Sequence, residues 1–256
     1  MKKILPYLPD RPRKPRKHGL TMVMDKGLSL NEAAGFMSIG SNYTDYVKLG
    51  FGTSIITPGL EKKINLYKKK GVIPYFGGTL FEVFVIRDMF REFVKFLDKY
   101  RIDLVEVSDG SYDIDHDRKL EYIHKLARHR TVISEVGSKK KEVVYSPAQW
   151  VEMMKSELDA GSVKVIAEAR ESGTTGIYNE DGSINNSIIG AISDQVKLEN
   201  VIWEAPLKSQ QAWFIKHFGA NVNLGNIAPS EIIPLETLRL GLRGDTFFQF
   251  LPEDLK

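Results

Sequence analysis

The chain contains one complete strand–helix–strand unit at residues 131–168, TVISEVGSKKKEVVYSPAQWVEMMKSELDAGSVKVIAE. It opens with one mostly apolar run, Thr131–Val136, and closes with a second, Val163–Ala167. Runs of this kind are typical of parallel strands that are buried on both faces. Between them, Ser146-Pro147 predicts the start of a helix and Gly161 predicts its end. The stretch therefore predicts two parallel strands joined by a crossover helix.

The same unit recurs along the whole chain. Eight runs rich in Val and Ile recur at intervals of roughly 29 residues, the length that one strand, one helix and two loops need. The runs are Leu20–Met24, Tyr46–Leu49, Val72–Phe76, Ile102–Val107, Thr131–Val136, Val163–Ala167, Val201–Trp203 and Val222–Leu224. Because helical patterns separate them throughout, we predict a single (β/α)8 TIM barrel over residues 19–256.

A doubly wound open sheet is the alternative fold. Such a sheet should have a glycine-rich phosphate loop after its first strand, and the sequence there, Asp25-Lys26-Gly27-Leu28, is not that fingerprint.

Among the predicted helices, the third, Leu80–Tyr100, is apolar over more than half of its circumference. A helix on a barrel buries only one stripe, so the excess predicts a subunit contact and hence a homo-oligomer. The alternative is an ordinary core helix with a broad buried face.

Residues 1–18 form a basic, proline-containing arm. The chain has a formal net charge of +3, but residues 1–20 contain seven Lys/Arg and one acid, so the rest is mildly acidic. The arm could bind a polyanion or could be a solvated tail. We favour the solvated tail, because four prolines prevent helix formation and no later basic stripe continues it. We therefore expect no nucleic-acid partner.

Composition excludes several classes of site. The chain has no cysteine, which excludes disulfides, thiolate metal sites and cysteine nucleophiles. No apolar run approaches the roughly 18 residues of a membrane-spanning helix, and the N-terminal segment lacks an apolar stretch of signal-peptide length. We expect a cytoplasmic protein without a membrane partner.

Four glutamates stand at the ends of neighbouring predicted strands: Glu106, Glu135, Glu168 and Glu204. In a barrel of this class the functional groups lie at the C-terminal ends of the strands. Carboxylates that converge there repel one another unless protons or cations intervene. Oxygen ligands favour Mg²⁺ over zinc, and we assign Glu106, Glu135 and Glu168 as metal ligands. The alternative is a structural role in which Lys48 and Arg170 hold the carboxylates.

Several loop residues are candidates for anion binding. The loop after the sixth strand is rich in small residues, and loops after the seventh and eighth strands of such barrels often hold phosphate. The candidate substrate-binding residues are Lys48, Arg170, Ser172, Gly173, Lys208, Asn223 and Asn226.

Seven motifs, taken in order, resemble the phosphosulfolactate synthase family over about residues 19 to 247. They are Gly77-Gly78-Thr79-Leu80-Phe81-Glu82, Glu106-Val107-Ser108-Asp109-Gly110, Ser134-Glu135-Val136-Gly137, Glu168-Ala169-Arg170-Glu171-Ser172-Gly173, Glu204-Ala205-Pro206-Leu207-Lys208-Ser209-Gln210-Gln211, Val222-Asn223-Leu224-Gly225-Asn226-Ile227 and the stretch 236–246, ETLRLGLRGDT. The resemblance implies a TIM barrel that uses Mg²⁺ to add sulfite to phosphoenolpyruvate, giving (2R)-phospho-3-sulfolactate. It also implies a carbon–sulfur lyase, which in methanogens begins one route to coenzyme M.

The implied chemistry needs a general acid, and lysine suits this role because it is protonated at pH 7. In the family pattern a lysine directly follows the glycine after the fifth strand, where this chain has Ser138. The lysines begin one residue later, so we assign Lys139 as the acid, with Lys140 as the alternative, and place Glu135 beside it as a second catalytic residue. Two other functions stay open: a non-catalytic, heat-stress-type relative, and another Mg²⁺-dependent barrel enzyme for a phosphorylated enol or sugar.

Overall fold

The computed structural model describes residues 5–137, 144–170 and 172–256. Eight parallel strands form one sheet in the hydrogen-bonded order β3-β2-β1-β8-β7-β6-β5-β4, and the two terminal strands, β3 and β4, lie side by side. The strands are β1 Thr21–Asp25, β2 Tyr46–Leu49, β3 Ile73–Phe76, β4 Leu104–Val107, β5 Thr131–Val136, β6 Ser162–Ala167, β7 Val201–Glu204 and β8 Leu224–Ile227. The predicted (β/α)8 barrel is confirmed.

Nine helices surround the sheet in the described part of the chain. They are α1 Leu30–Gly40, α2 Leu60–Lys69, α3 Gly78–Val85, α4 Phe90–Lys99, α5 His116–Ala127, α6 Pro147–Asp159, α7 Asn186–Gln195, α8 Lys208–Phe218 and α9 Ile232–Arg239. α6 begins where Ser146-Pro147 predicts, and Ser146 caps it with a capping box. Within the described ranges every helix is too short or too polar to cross a membrane.

The predicted third helix, Leu80–Tyr100, is two helices. α3 ends at Val85 and α4 begins at Phe90, and between them Asp88 has a positive φ of 56°. The two helices pack on each other through aromatic rings, with Phe84 and Phe93 centroids 5.6 Å apart. Much of the apolar excess is therefore buried within the chain, and the homo-oligomer stays a prediction.

The arm is not a solvated tail over its described part, residues 5–18. Arg11 Nε lies 3.0 Å from Glu236 Oε1, and Arg16 Nη1 lies 3.1 Å from Asp45 Oδ1, with both side chains largely buried. Lys164 Nζ, from β6, donates to the carbonyl oxygen of Lys17 at 2.9 Å. Asp45 directly precedes β2, so the arm lies across the N-terminal ends of the strands. It stabilises the barrel at the end opposite the strand-end glutamates.

Candidate active site

Alternation along the strands directs four glutamates into the mouth of the barrel. Glu106, Glu135, Glu168 and Glu204 stand at or just after the ends of β4, β5, β6 and β7, and all four are buried. The residues two positions earlier are Leu104, Ile133, Ile166 and Ile202, which share the inward face of their strands. Asp25 at the end of β1 has the opposite orientation, since it accepts hydrogen bonds from Tyr67 and Lys63 on α2. Four neighbouring strands, β4 to β7, thus supply a carboxylate to the mouth, whereas the other four, β1, β2, β3 and β8, supply none.

Lys48 lies at the centre of the carboxylates. Its Nζ is 2.9 Å from Glu106 Oε1, 2.8 Å from Glu135 Oε2 and 3.8 Å from Glu204 Oε1. Burial by itself lowers the pKa of Lys48, but the charges of Glu106, Glu135 and Glu204 raise that pKa well above its ordinary value. Lys48 is therefore an ammonium at neutral pH, and it offsets part of the repulsion among the four acids.

Glu106 has its own set of partners. The N–H of Gly78, the first residue of α3, donates to Glu106 Oε1 at 2.5 Å. Only glycine permits this approach, because a Cβ at position 78 would lie 2.8 Å from that oxygen and 2.2 Å from Ser108 Oγ. Burial raises the pKa of Glu106, and Lys48 opposes the shift. The carboxylate of Glu106 is thus held by the N–H of Gly78 and the ammonium of Lys48.

The carboxylates that come together as a possible metal site are Glu135, Glu168 and Glu204. One oxygen from each lies within 4.8 Å of the others. Three buried carboxylates form the hard, all-oxygen donor set that suits Mg²⁺. The trio contains two of the three predicted ligands, with Glu204 in the place that the sequence assigned to Glu106. Sequence could not separate the two, because each lies at or next to the end of a strand and follows apolar residues.

A cavity of about 400 Å³ opens beside this trio at the C-terminal ends of the strands. Its lining consists of Met24, Lys48, Gly50, Phe51, Thr79, Glu135, Glu168, Ala169, Arg170, Ser172, Glu204 and Asn226. Six predicted residues therefore border one cavity: Lys48, Glu135, Glu168, Arg170, Ser172 and Asn226. Asn226 Nδ2 donates to the carbonyl oxygen of Ala169 at 3.3 Å, which fixes its amide at the cavity wall.

The loop after β6 is fixed from α8. Gln210 Nε2 donates to the carbonyl oxygens of Gly173 at 2.9 Å and Gly182 at 3.2 Å, while its Oε1 accepts from the N–H of Leu207. Gly173 has a φ of +65°, which glycine adopts without strain. The predicted binding residue Gly173 thus serves the loop through its backbone, and Gln210 was not among the predicted site residues.

Two predicted binding residues lie elsewhere. Asn223 precedes β8, and its side chain accepts from the N–H of Leu20 and donates to the carbonyl oxygens of Glu199 and Val201. It is at the N-terminal end of the barrel, so its predicted contact with a substrate in the mouth is wrong. The physical reason is that the eighth strand begins at Leu224 rather than at Val222. Lys208 begins α8 and forms an ion pair with Asp245 at 3.0 Å.

The lysine run Lys139-Lys140-Lys141 lies outside the described residues, so the assignment of Lys139 stays a prediction.

Behind Glu135 there is a buried cluster that the sequence did not indicate. Lys119 on α5 contacts Asp109 Oδ1 at 2.8 Å and Glu157 Oε1 at 2.7 Å. It also donates to the main-chain oxygen of Glu135 at 2.7 Å. A lysine on a helix usually points to solvent, so only the three-dimensional structure shows this contact.

Comparisons with known proteins show which family the chain resembles. A family model for (2R)-phospho-3-sulfolactate synthase (ComA) matches residues 9–245, beginning within the arm. The chain is 40% identical over 244 residues to a phosphosulfolactate synthase of Methanothermobacter thermautotrophicus, covering 93% of this chain and 95% of the relative. It is 41% identical over 244 residues to a phosphosulfolactate synthase of Bacillus subtilis, covering 94% and 97%.

More distant similarities extend over the same barrel. The Arabidopsis thaliana protein HEAT-STRESS-ASSOCIATED 32 is 23% identical over 261 residues, covering 90% of this chain and 88% of the relative. Among solved structures, a 3-hexulose-6-phosphate synthase from Salmonella typhimurium superposes with a TM-score of 0.58 at 14% identity, covering 88% of this chain and all of that one. At that identity the structural likeness concerns the fold alone.

Proposed function

The chain belongs to the phosphosulfolactate synthase family, and on this premise we propose that it adds sulfite to phosphoenolpyruvate, with Mg²⁺, to give (2R)-phospho-3-sulfolactate. The observation that carries the proposal is the cavity in which the buried trio Glu135, Glu168 and Glu204 lies together with the cations Lys48 and Arg170. Two anionic substrates must meet in this reaction, and a site for them needs positive charge beside a carboxylate-bound metal.

Glu135, Glu168 and Glu204 are the residues that would hold Mg²⁺, since their oxygens already converge within 4.8 Å. A bound Mg²⁺ would stabilise the negative charge that develops on the substrate carboxylate. Lys48 keeps the carboxylates at fixed positions, because its ammonium bridges Glu135 and Glu106. Arg170 at the cavity wall is suited to the phosphate or carboxylate of the substrate, because its guanidinium can donate two parallel hydrogen bonds.

The proposed step forms one carbon–sulfur bond. The sulfur lone pair of sulfite attacks C3 of phosphoenolpyruvate, and the π electrons of the C2–C3 double bond move to C2 and its carboxylate. A lysine ammonium then gives a proton to C2, which completes phosphosulfolactate without loss of the phosphate. We assign this proton to Lys139, which the sequence places in the segment that follows β5. The reaction is that of a carbon–sulfur lyase operating in the direction of addition.

The cavity also favours an enzyme over a non-catalytic relative of the heat-stress type. A barrel without catalytic activity has no need to keep four buried carboxylates around an open cavity, because buried charges cost stability. Another Mg²⁺-dependent reaction of a phosphorylated enol or sugar would use the same general features. Product analysis with defined substrates separates that reaction from the one proposed.

The test is an assay of the purified protein with sulfite, phosphoenolpyruvate and Mg²⁺, followed by ³¹P NMR and mass spectrometry. We expect a new phosphate ester that contains sulfur, formed only when both substrates and the metal are present. Omitting sulfite is the control for hydrolysis of phosphoenolpyruvate. Formation of free phosphate or pyruvate alone, or no reaction, would contradict the proposal.

A further inference from the structure

Phe51 occupies an unusual place beside the cavity. It follows β2 in the sequence Leu49-Gly50-Phe51-Gly52, and its side chain lines the cavity while remaining 50% exposed. A large apolar side chain that is half exposed at the edge of a polar cavity has a hydration cost that burial would remove. A ligand in the cavity could supply that burial.

The backbone of Phe51 is also strained. Its φ is 54°, in the left-handed region that a bulky aromatic residue rarely adopts. The turn is fixed on both sides, since the N–H of Gly50 donates to the carbonyl oxygen of Asp25 and the N–H of Thr53 donates to that of Gly50, each at 3.0 Å. Glycine would fit position 51 better, so the aromatic residue is a cost to the fold. Residues kept in such conformations cluster at functional sites.

The ring belongs to an apolar wall of the cavity. Met24 at the end of β1 packs against Gly50, where a Cβ would lie 2.6 Å from the methionine sulfur. Met24 and Phe51 are therefore neighbours on the β1–β2 side of the mouth. The carboxylate trio stands on β5–β7, across the barrel from β1 in the strand order. The carboxylates thus lie on one side of the cavity, and the side chains of Met24 and Phe51 form an apolar patch on the other. Two cations flank this patch: Lys48 of β2 reaches the carboxylates, and the ammonium of Lys26 lies 6.0 Å from the Phe51 ring centroid.

We propose that Phe51 is a specificity-determining residue that covers the uncharged methylene carbon of the enol substrate. This inference rests on the proposed function. Phosphoenolpyruvate has two charged groups at one end and an uncharged CH₂ at C3. With its charged groups directed to Mg²⁺ held by the trio and to Arg170, that carbon would lie toward Met24 and Phe51. The aromatic ring there excludes water from the carbon that sulfite attacks. The contact gives a functional reason for keeping an aromatic residue in a strained backbone conformation.

The test compares two ligands and two backbone-matched variants. 2-Phosphoglycolate has the carboxylate and phosphate of phosphoenolpyruvate but lacks the C3 methylene. Calorimetry of wild type and Phe51→Gly with each ligand in the presence of Mg²⁺ measures binding without turnover. We expect Phe51→Gly to weaken phosphoenolpyruvate about tenfold, the scale of a lost apolar contact in a pocket, and to change 2-phosphoglycolate less than about twofold. The melting temperature of Phe51→Gly should equal or exceed that of the wild type, because glycine relieves the backbone strain at position 51.

Asp88→Gly is the matched control, since Asp88 is exposed and has a similar φ of 56° in the turn between α3 and α4. It should change neither affinity. Equal weakening of both ligands by Phe51→Gly, unchanged binding of phosphoenolpyruvate, or a change of oligomeric state in sedimentation would overturn the inference. A wild type that binds phosphoenolpyruvate without turnover refutes the proposed reaction but still tests Phe51. A wild type that does not bind phosphoenolpyruvate at all refutes both.

Discussion

The ammonium of Lys119 lies 2.7 Å from the main-chain carbonyl oxygen of Glu135 and connects the helix layer to the end of β5. β4 ends at Val107, which pairs with Ser134, so no β4 residue of the ladder pairs with Glu135. Lys119 therefore supplies a donor where the neighbouring strand has ended. Its other two contacts, with Asp109 and Glu157, join the β4–α5 loop and α6 to the same point. One buried cation thus holds the β4-facing side of a proposed metal ligand whose other side pairs with Ile166 of β6.

Lys119→Met should lower the free energy of unfolding by about 3–5 kcal/mol, because it leaves buried acids without their cation. Urea denaturation measures this loss. Adding Glu157→Gln to the variant removes one of those acids, so the double variant should recover part of the stability. A single variant as stable as the wild type would show that the cluster contributes nothing.

The stability of the protein should depend on pH through Glu157. Burial raises the pKa of this carboxyl to about 7, although Lys119 opposes the shift. Between about pH 4.5 and pH 7 the folded chain keeps a proton that the unfolded chain has released. The stabilising contribution is therefore complete below about pH 4.5 and is lost as the pH rises through 7, by up to about 3 kcal/mol.

Comparison with Glu157→Gln isolates this effect, since Glu106 also has a raised pKa and would titrate in the same direction. Unfolding free energies of both proteins, measured from pH 5 to pH 8, should diverge steadily, with the wild type losing stability relative to the variant. Parallel curves would mean that Glu157 titrates normally.

Deleting residues 1–16 should lower the melting temperature by about 5 °C or more and leave catalysis nearly intact. The deletion removes Arg11 and Arg16, which leaves Glu236 and Asp45 without their cations. The arm lies at the N-terminal ends of the strands, so it does not reach the cavity. A loss of more than about tenfold in kcat/KM, or roughly 1.4 kcal/mol, would show that it acts on the site.

The sequence predicts the barrel well where strands are apolar and end at clear signals. Thr131–Val136 and Tyr46–Leu49 have the predicted bounds. The eighth strand was predicted too early in the chain, at Val222–Leu224 instead of Leu224–Ile227. The reason is that the strand's own sequence, Leu-Gly-Asn-Ile, is less apolar than the Val222 that precedes it. The break between α3 and α4 contains neither glycine nor proline, so no local signal marks it. Lys119 shows the same limit, since the burial of a helical lysine depends on acids distant in sequence.

The position of the general acid can be tested within the lysine run. Lys139→Ala should lower kcat by about 10² to 10⁴, the usual range for a lost general acid, and leave the melting temperature almost unchanged. Lys140→Ala and Lys141→Ala are the internal controls and should be near neutral. Similar kcat values for all three variants, with modestly raised KM, would instead indicate a cluster that only attracts anions.

Metal binding should distinguish Glu168 from Glu106, which are equally buried. Chelation with EDTA should abolish activity, and added Mg²⁺ should restore it. Glu168→Gln should weaken Mg²⁺ binding at least about tenfold in calorimetry, because Glu168 belongs to the trio whose oxygens converge. Glu106→Gln should change Mg²⁺ affinity less than about threefold, because Gly78 and Lys48 already bind that carboxylate. A larger loss for Glu106→Gln than for Glu168→Gln would return Glu106 to the ligand set and exclude the trio as the metal site.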